Sequence, residues 1–337
     1  MEKKYDLIGI ANPGQDLVVE LEALPRDVVS SRMYDCSFQG GGWVATALCA
    51  AGNLGMKTSF LGVIGDDVFS NLIKADFEYN HVDTSHLIVD KGKRSNFCMC
   101  ITERSTKSKS LISRPGECRE VQIEDLDKEF IQSARMMHVG VVNEAVRKAA
   151  DMIHEAGGLV SVDAAYYQPY IYDHYDIYDI LIGSEYFFDG LCAELGKKSA
   201  KEMTDDEKFE VMRYLQTKGP KIVIFTFGPD GSKGVYEDKT FSIPAMDVPV
   251  VDTTGAGDVF HGAFDAAYLK GMDVVEAAKF ATGVSSIKCT QLGGRAGIPD
   301  LETLTKYLET GVIDYNKIND RVATYKHGLK VKCYVKL

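Results

Sequence analysis

The chain has 337 residues, 45% of them hydrophobic, which suits one large or two ordinary domains with a sizeable core and excludes a disordered or fibrous protein. Lys and Arg number 38 against 49 Asp and Glu, for a formal charge of −11 with no long basic run, so neither nucleic acid nor an anionic membrane surface is an expected partner. No apolar run approaches the roughly 20 residues that span a bilayer, and the opening MEKKYDLIGIANPG carries too short an apolar stretch for a secretion signal, so a cytoplasmic protein is expected.

Leu7–Ala11 opens the chain as a strand. From Leu17 to Phe38 the sequence, starting with DLVVELEALP, alternates as a strand does but brings no helix with it. Gly42–Asn53 is a helix of small residues, Thr58–Ile64 a strand and Asp67–Tyr79 an amphipathic helix. Ser95–Ser113 reads as two strands around a polar turn, with Cys98 and Cys100 on one face. The αβ beat then resumes with strand Met136–Val142, helix Glu144–Ala156, strands Leu159–Asp163 and Asp179–Ile182, helix Asp205–Lys218 and strand Lys221–Thr226. After Pro299 come a helical LETLTKYLE and a polar tail rich in Lys and Tyr. The beat predicts an α/β fold on a mostly parallel sheet with helices on both faces, over 1–16, 39–94 and 115–310. The segments 17–38 and 95–114 form a β appendage, equally suited to a lid over a site and to a homodimer interface. Residues 311–337 form an extension without an assigned role. Eight cysteines without CxxC spacing and seven histidines without HExxH spacing predict reduced thiols and no zinc site.

The most specific stretch is VVDTTGAGDVFHGAF, where the small turn Gly255-Ala256-Gly257 lies between Asp252 and Asp258 and runs into a helix. It is not a Walker A loop, since the Lys of GxxxxGK[ST] is missing, and Phe260 stands where a dinucleotide fingerprint needs a third glycine. N–H groups at a helix start can cradle a phosphate, yet Asp258 would repel it. Phosphoryl transfer to an alcohol resolves the conflict, because it needs both a cradle for the transferred group and a base for the hydroxyl proton. The plainer alternative is that Asp258 caps the helix.

This stretch resembles the C-terminal signature of the ribokinase-type (PfkB-type) carbohydrate kinases. GIANPGQD, QGGGWVATALCAAGNLG, FLGVIGDD, FTFGPDGS and IKCTQLGGRAGIP resemble further segments of that family in the same order, from about Leu7 to Pro299. The resemblance implies a doubly wound α/β domain with a β lid. It also implies ATP and Mg²⁺, and a monovalent cation such as K⁺ at Asp252 and Thr254. The γ-phosphate would pass to a hydroxymethyl group of a small carbohydrate. Asp258 would be the base, with Gly255, Ala256 and Gly257 as the anion hole. Asn12, Asp16, Gly41, Gly42 and Thr46 would meet the sugar, and Thr226, Gly228 and Gly231 the nucleotide.

Each has a packing alternative: Gly41 and Gly42 as a closely packed helix start, Gly228 and Gly231 as a hairpin turn, Asp16 as a surface acid. Three positions depart from the family pattern. Thr46 replaces an Asn, the Asn-x-x-Glu position falls on Ser184 to Phe187 with a displaced acid at Glu185, and a DxNxR-like pattern is thinned to Asp163-Ala164-Ala165. Asn143 and Glu144 follow a strand where ligands of open α/β sheets bind, unless they merely start the next helix. Arg114 and Arg119 flank the lid as a phosphate clamp or as solvated charges. A nucleoside acceptor would need an apolar slot, for which Phe38, Trp43 and Phe97 are candidates. A non-catalytic sugar or nucleotide sensor is the remaining alternative.

Overall fold

The computed structural model describes residues 3–26, 30–106, 108–167 and 173–330. Strand β1 (Tyr5–Ile10) leads into the hairpin β2 (Gly14–Leu21) and β3 (Met33–Gly41), and then into helix α1 (Trp43–Asn53). Next come β4 (Thr58–Ile64), α2 (Val68–Tyr79), the short β5 (Val82–Asp83) and β6 (Leu87–Val89), and the hairpin β7 (Asn96–Glu103) and β8 (Lys109–Arg114). The chain continues through α3 (Lys128–Gln132), β9 (Ala134–Val139), α4 (Glu144–Glu155), β10 (Leu159–Ala164), β11 (Ile180–Ser184), α5 (Glu185–Glu194) and α6 (Asp205–Gln216). It closes with β12 (Ile222–Thr226), β13 (Ser232–Tyr236), β14 (Lys239–Ile243), α7 (Ala256–Leu269), α8 (Val274–Lys288), α9 (Leu301–Thr310) and α10 (Tyr315–His327).

The main sheet has the order β14-β13-β12-β11-β10-β9-β1-β4-β5, with β6 also on β4. It is parallel from β12 to β5, and β13 and β14 add an antiparallel edge. Adjacent strand residues feed opposite layers, as a period of two requires. Leu7, Met136 and Ile182 join a core under α1, α2, α7 and α8. Ile8, Met137 and Leu181 join a second core under α4, α5 and α6. All seven residues of β4 are buried, the mark of a strand covered on both faces. Strand order reverses between β1 and β9, and such a reversal opens a crevice at the carboxyl ends of the strands.

Local chemistry sets most boundaries. Asp67 caps α2 by accepting from Ser70 N at 3.0 Å, and Thr204 with Glu207 makes a capping box on α6. Helix α1 packs so tightly on α7 that a Cβ at Gly262 would lie 1.9 Å from the Ala47 carbonyl oxygen. Strand β9 stops at Val139, short of the expected Val142, where Gly140 passes against the Trp43 ring.

Strands β3, β2, β7 and β8 form a separate four-stranded sheet. It reaches further than 17–38 and 95–114, because its strands start at Gly14 and end at Gly41, and so it carries Asp16 and Gly41 on its own base. The polar tail contributes α10, whose Tyr325 is buried and whose Arg321 donates to Asn53 and Asn80, each at 2.8 Å. Among the described residues no helix is long and apolar enough to cross a membrane.

Candidate active site

Two sequence-distant loops meet at the amino end of α7. Gly255 is the N-cap with φ +73°, the left-handed region, and a Cβ there would come within 2.9 Å of Gly294 Cα. The first-turn N–H groups of a helix have no intrahelical acceptor. Of the expected anion hole, Ala256 N is already bonded to Thr253 O at 3.1 Å, which leaves the N–H groups of Gly255 and Gly257 as the candidates. A Cβ at Gly257 would meet nothing within 4 Å, so the turn is open on that side. Asp258 follows, half-buried in the first turn rather than at the cap position. Burial raises its pKa, against its own backbone N–H and the charges of Lys109, Lys288 and Arg295.

Asp16 comes from the lid base. Its carboxylate lies where a Cβ on Gly41 would be, 2.1 Å from Oδ1, so glycine at 41 makes room for the acid. Gly42, φ +91°, caps α1. Burial pushes the Asp16 carboxyl up to about 6, opposed by the Arg295 charge and Cys100, and assisted by the Asp258 charge. Asp16 and Asp258 are thus two acids that sense one another.

Other expected sugar contacts are engaged elsewhere. The Asn12 amide bridges backbone, donating to Arg119 O at 2.8 Å and accepting from Val63 N at 3.0 Å. Thr46 is buried, and its hydroxyl accepts from Arg295 Nε at 3.2 Å. Asn12 thus braces backbone of two neighbouring segments, and Thr46 braces Arg295.

Arg295 is a residue that pattern reading missed. Fully buried, it donates to Asp76 Oδ1 at 2.6 Å and Gly41 O at 3.0 Å, while Asp76 also accepts from Gly40 N at 2.6 Å. Gln39 Oε1 accepts from the N–H groups of Arg295 and Ala296, at 2.9 and 3.0 Å, tying the lid base to the loop after α8. Lys109, exposed on β8, shares the Asp16 face of the lid by strand alternation and adds its charge to the field at Asp258.

The loop before α7 is held from inside. Asp252 accepts from Thr254 N at 2.9 Å and Gly293 N at 2.8 Å. Burial would raise its pKa, but the Lys288 charge and these N–H donors outweigh it and hold the carboxyl below the usual range. Lys288, fully buried at the end of α8, donates to Asp252 O at 2.9 Å and also to Thr254 O. The expected K⁺ does not fit here, because an ammonium already takes the carbonyl oxygens it would use. Two unit charges 4 Å apart repel by about 4 kcal/mol at an effective dielectric of 20.

A cavity of about 550 Å³ begins at this turn, lined by Ala256, Gly257 and Phe260 and bounded by Ser285 and Ser286 of α8 and by its C-cap Cys289. Thr226, Gly228 and Gly231 line its other side. Gly231 also has a backbone reason, since at φ +79° its Cβ would lie 2.0 Å from Ile243 O.

The departures from the pattern are structural. Ser184 caps α5, accepting from Tyr186 N and Phe187 N at 3.1 and 3.3 Å, and Phe187 is core. Glu185 starts α5, its carboxylate 3.8 Å from Lys201 Nζ. Asn143 caps α4 by accepting from Val146 N at 2.9 Å, with Glu144 in the first turn. Arg114 lies 3.8 Å from Glu117, and Arg119 chelates Asp125, so neither is a ready phosphate clamp. Of the three aromatics considered for a nucleoside slot, Phe38 and Phe97 project from the lid face opposite Asp16, with Phe97 stacked on Phe69 at 4.7 Å, and Trp43 lies against Gly140. Behind the site, Asp163 is buried with His261 Nε2 at 3.5 Å, and His138 meets Asp265 at 2.8 Å. Burial and the charges of Asp258 and Asp265 raise the Asp163 pKa, and burial lowers that of His261, which favours neutral forms of both.

Residues 2–301 match the pfkB family of carbohydrate kinases. A nucleoside kinase of Methanothermobacter thermautotrophicus is 24% identical over 89% of this chain and 94% of its own. A ribokinase of Haemophilus influenzae is 23% identical over 92% of this chain and 99% of its own. In fold, the chain resembles the Arabidopsis thaliana ribokinase solved with ribose and ATP, with a TM-score of 0.78 and 23% identity over 92% of this chain and 99% of that one.

Proposed function

We propose that this chain, which belongs to the pfkB family of carbohydrate kinases and is an ATP-dependent phosphotransferase with an alcohol as acceptor, transfers the γ-phosphate to a hydroxymethyl group of a small sugar. The observation that carries this reading is the position of Asp258. The carboxylate sits one residue past an open N–H-bearing turn, and the cavity lined by Thr226, Gly228 and Gly231 ends on that same turn. ATP would lie along Thr226, Gly228 and Gly231 with its phosphates toward Gly255 and Gly257. Mg²⁺ would arrive on the phosphates, since this ion keeps phosphate oxygens and water as most of its ligands. Asp16 would accept from sugar hydroxyls and hold the acceptor against Asp258. As the acceptor oxygen bonds to the γ-phosphorus and the bond to the β-phosphate oxygen breaks, the hydroxyl proton passes to Asp258 and ADP leaves. The N–H groups of the turn stabilise charge on the transferred group.

The placement of Phe38 and Phe97 away from Asp16 favours a sugar over a nucleoside as acceptor. The lid's outer face supports a homodimer through its strands: Phe38, Leu17, Met99 and Ile112 form an apolar row across all four, with Phe38 43% and Ile112 58% exposed.

Asp258→Asn tests the assignment. Turnover, followed as ADP release across ketoses, aldoses, sugar acids and nucleosides, is expected to fall by about 10²- to 10⁴-fold, the usual contribution of a general base. Stabilisation of the protein by ATP with Mg²⁺ in thermal melts is expected to persist, because the cradle is intact. A variant with wild-type turnover would refute Asp258 as the base.

A further inference from the structure

The loop 252–254 has the chemistry of a cation site, and the cation is part of the chain. Lys288 is 0% exposed, and its ammonium donates to the carbonyl oxygens of Asp252 and Thr254, the residues either side of Thr253. A buried ammonium is tolerated only where it is paired and hydrogen-bonded. Here the Asp252 carboxylate supplies the counter-charge, and that carboxylate is fixed by Thr254 N and Gly293 N. Converging carbonyl oxygens are also how proteins strip and hold K⁺. The same oxygens therefore suit either ion, and the side chain of α8 has taken the position.

We propose that Lys288 is the built-in cation of the anion-hole loop, so that this kinase neither needs nor binds an exchangeable monovalent cation there. This goes beyond the kinase reading but rests on it wherever turnover is the readout. Lys288 acts as a positioning residue. It holds the carbonyls of 252 and 254 inward, so that Gly255 and Gly257 of the next backbone segment present their N–H groups outward. Tethering replaces an ion that must be bound from solution with one that folding puts in place. The arrangement also explains why the loop is closed by Gly293, whose N–H caps Asp252 and at which a Cβ would lie 2.3 Å from the Gln39 amide nitrogen.

The experiment compares wild type with Lys288→Ala in chloride salts of K⁺, NH₄⁺ and tetramethylammonium, which is too large to enter, at one ionic strength. Melting temperature, ATP affinity and turnover are measured in each. Wild type is expected to give the same values in all three salts. Lys288→Ala in tetramethylammonium is expected to melt lower and to turn over on the order of 10- to 100-fold more slowly, the range for groups that orient a site without touching substrate. K⁺ or NH₄⁺ should restore part of both losses, which a merely structural lysine would not allow. Lys288→Met, which fills the space with an apolar group, should not respond to K⁺. Activation of wild type by K⁺ over tetramethylammonium would overturn the proposal, as would a Lys288→Ala protein indifferent to every salt. If Lys288→Ala does not fold, the wild-type salt series still decides. If no acceptor supports turnover, the kinase reading fails while the melting series still tests the cation.

Discussion

Replacing Arg295 by Met tests whether the sugar side of the site is held by a buried charge. The side chain is 1% exposed and its partner Asp76 likewise. Removing the cation leaves a buried carboxylate that, among the described residues, keeps Gly40 N and the Asn80 amide for compensation, at 2.6 and 2.8 Å. Breaking a buried pair from one side costs about 3–5 kcal/mol. With an unfolding entropy near 2.1 cal/mol/K per residue, a chain of 337 residues melts roughly 4–7 °C lower for that loss. The double variant Arg295→Met/Asp76→Asn removes the stranded charge while keeping an oxygen for Gly40 N, so it is expected to be more stable than Arg295→Met alone. Function should move with it, because Arg295 is the main charge opposing the burial that raises Asp16. In Arg295→Met the acid limb of sugar binding is expected to shift to higher pH, with KM for the sugar rising more than kcat falls. Chemical denaturation with pH-dependent KM measurements reads both effects. A double variant no more stable than Arg295→Met, or an acid limb that does not move, would refute the reasoning.

Asp16 gives a second, signed expectation. Its folded-state pKa of about 6 lies above the usual 3.8, so the fold favours the protonated form. Its contribution to stability is present below pH 3.8 and lost as pH rises through 6. By pH 7.5 the loss amounts to about 3 kcal/mol. Asp16→Asn is therefore expected to be more stable than wild type at pH 7.5 and to lose that advantage near pH 4, in denaturation curves at the two pH values. Wild-type affinity for the sugar should improve as pH rises through about 6, a limb that Asp16→Asn abolishes. A third expectation concerns the lid: Ile112→Glu on its outer face should shift sedimentation toward a monomer without changing ATP binding, and an unchanged dimer would place the interface elsewhere.

The parallel sheet was readable because its strands are short apolar runs bounded by caps and turns, and β4 appears at the expected Thr58–Ile64. The turn at 255–257 was readable because its chemistry depends on the backbone, which leaves glycine as its trace. The supporting residues were not readable, for the opposite reason. Lys288 and Arg295 are single cations in a polar, glycine-containing stretch, where a charge ordinarily faces water, and nothing in their spacing distinguishes them from solvated ones. Only tertiary structure brings Asp252 to one and Asp76 to the other, over sequence separations of 36 and 219 residues. Asn12 and Thr46 carry the same ambiguity, since a polar side chain beside a ligand motif and one bracing the backbone have the same letters. Helix α10 was hidden by its polarity: of its thirteen residues only Ile318 and Tyr325 are buried, too few to mark a face.

The charge pattern accounts for how a chain of net charge −11 can handle a polyanionic substrate. Its field repels ATP, so attraction has to be local and shielded from solvent. Two buried cations lie behind the candidate site, Lys288 under the loop that leads into the 255–257 turn and Arg295 behind the lid base, where the proposed function would put the phosphates and the sugar. Each is balanced by a buried acid, Asp252 or Asp76, so neither leaves a bare charge in the core. Asp16 and Asp258 feel these cations only through space. Burial raises the pKa of both, and the charge of Asp258 raises that of Asp16 further. This is the condition of a pair waiting for a neutral, proton-donating ligand. In the proposed reaction a sugar between them would supply hydroxyl hydrogens to one carboxylate and the reacting proton to the other. A carboxylated or phosphorylated sugar whose anionic group pointed at Asp16 would add a third negative charge there, where the opposing cation, Arg295, is already paired with Asp76.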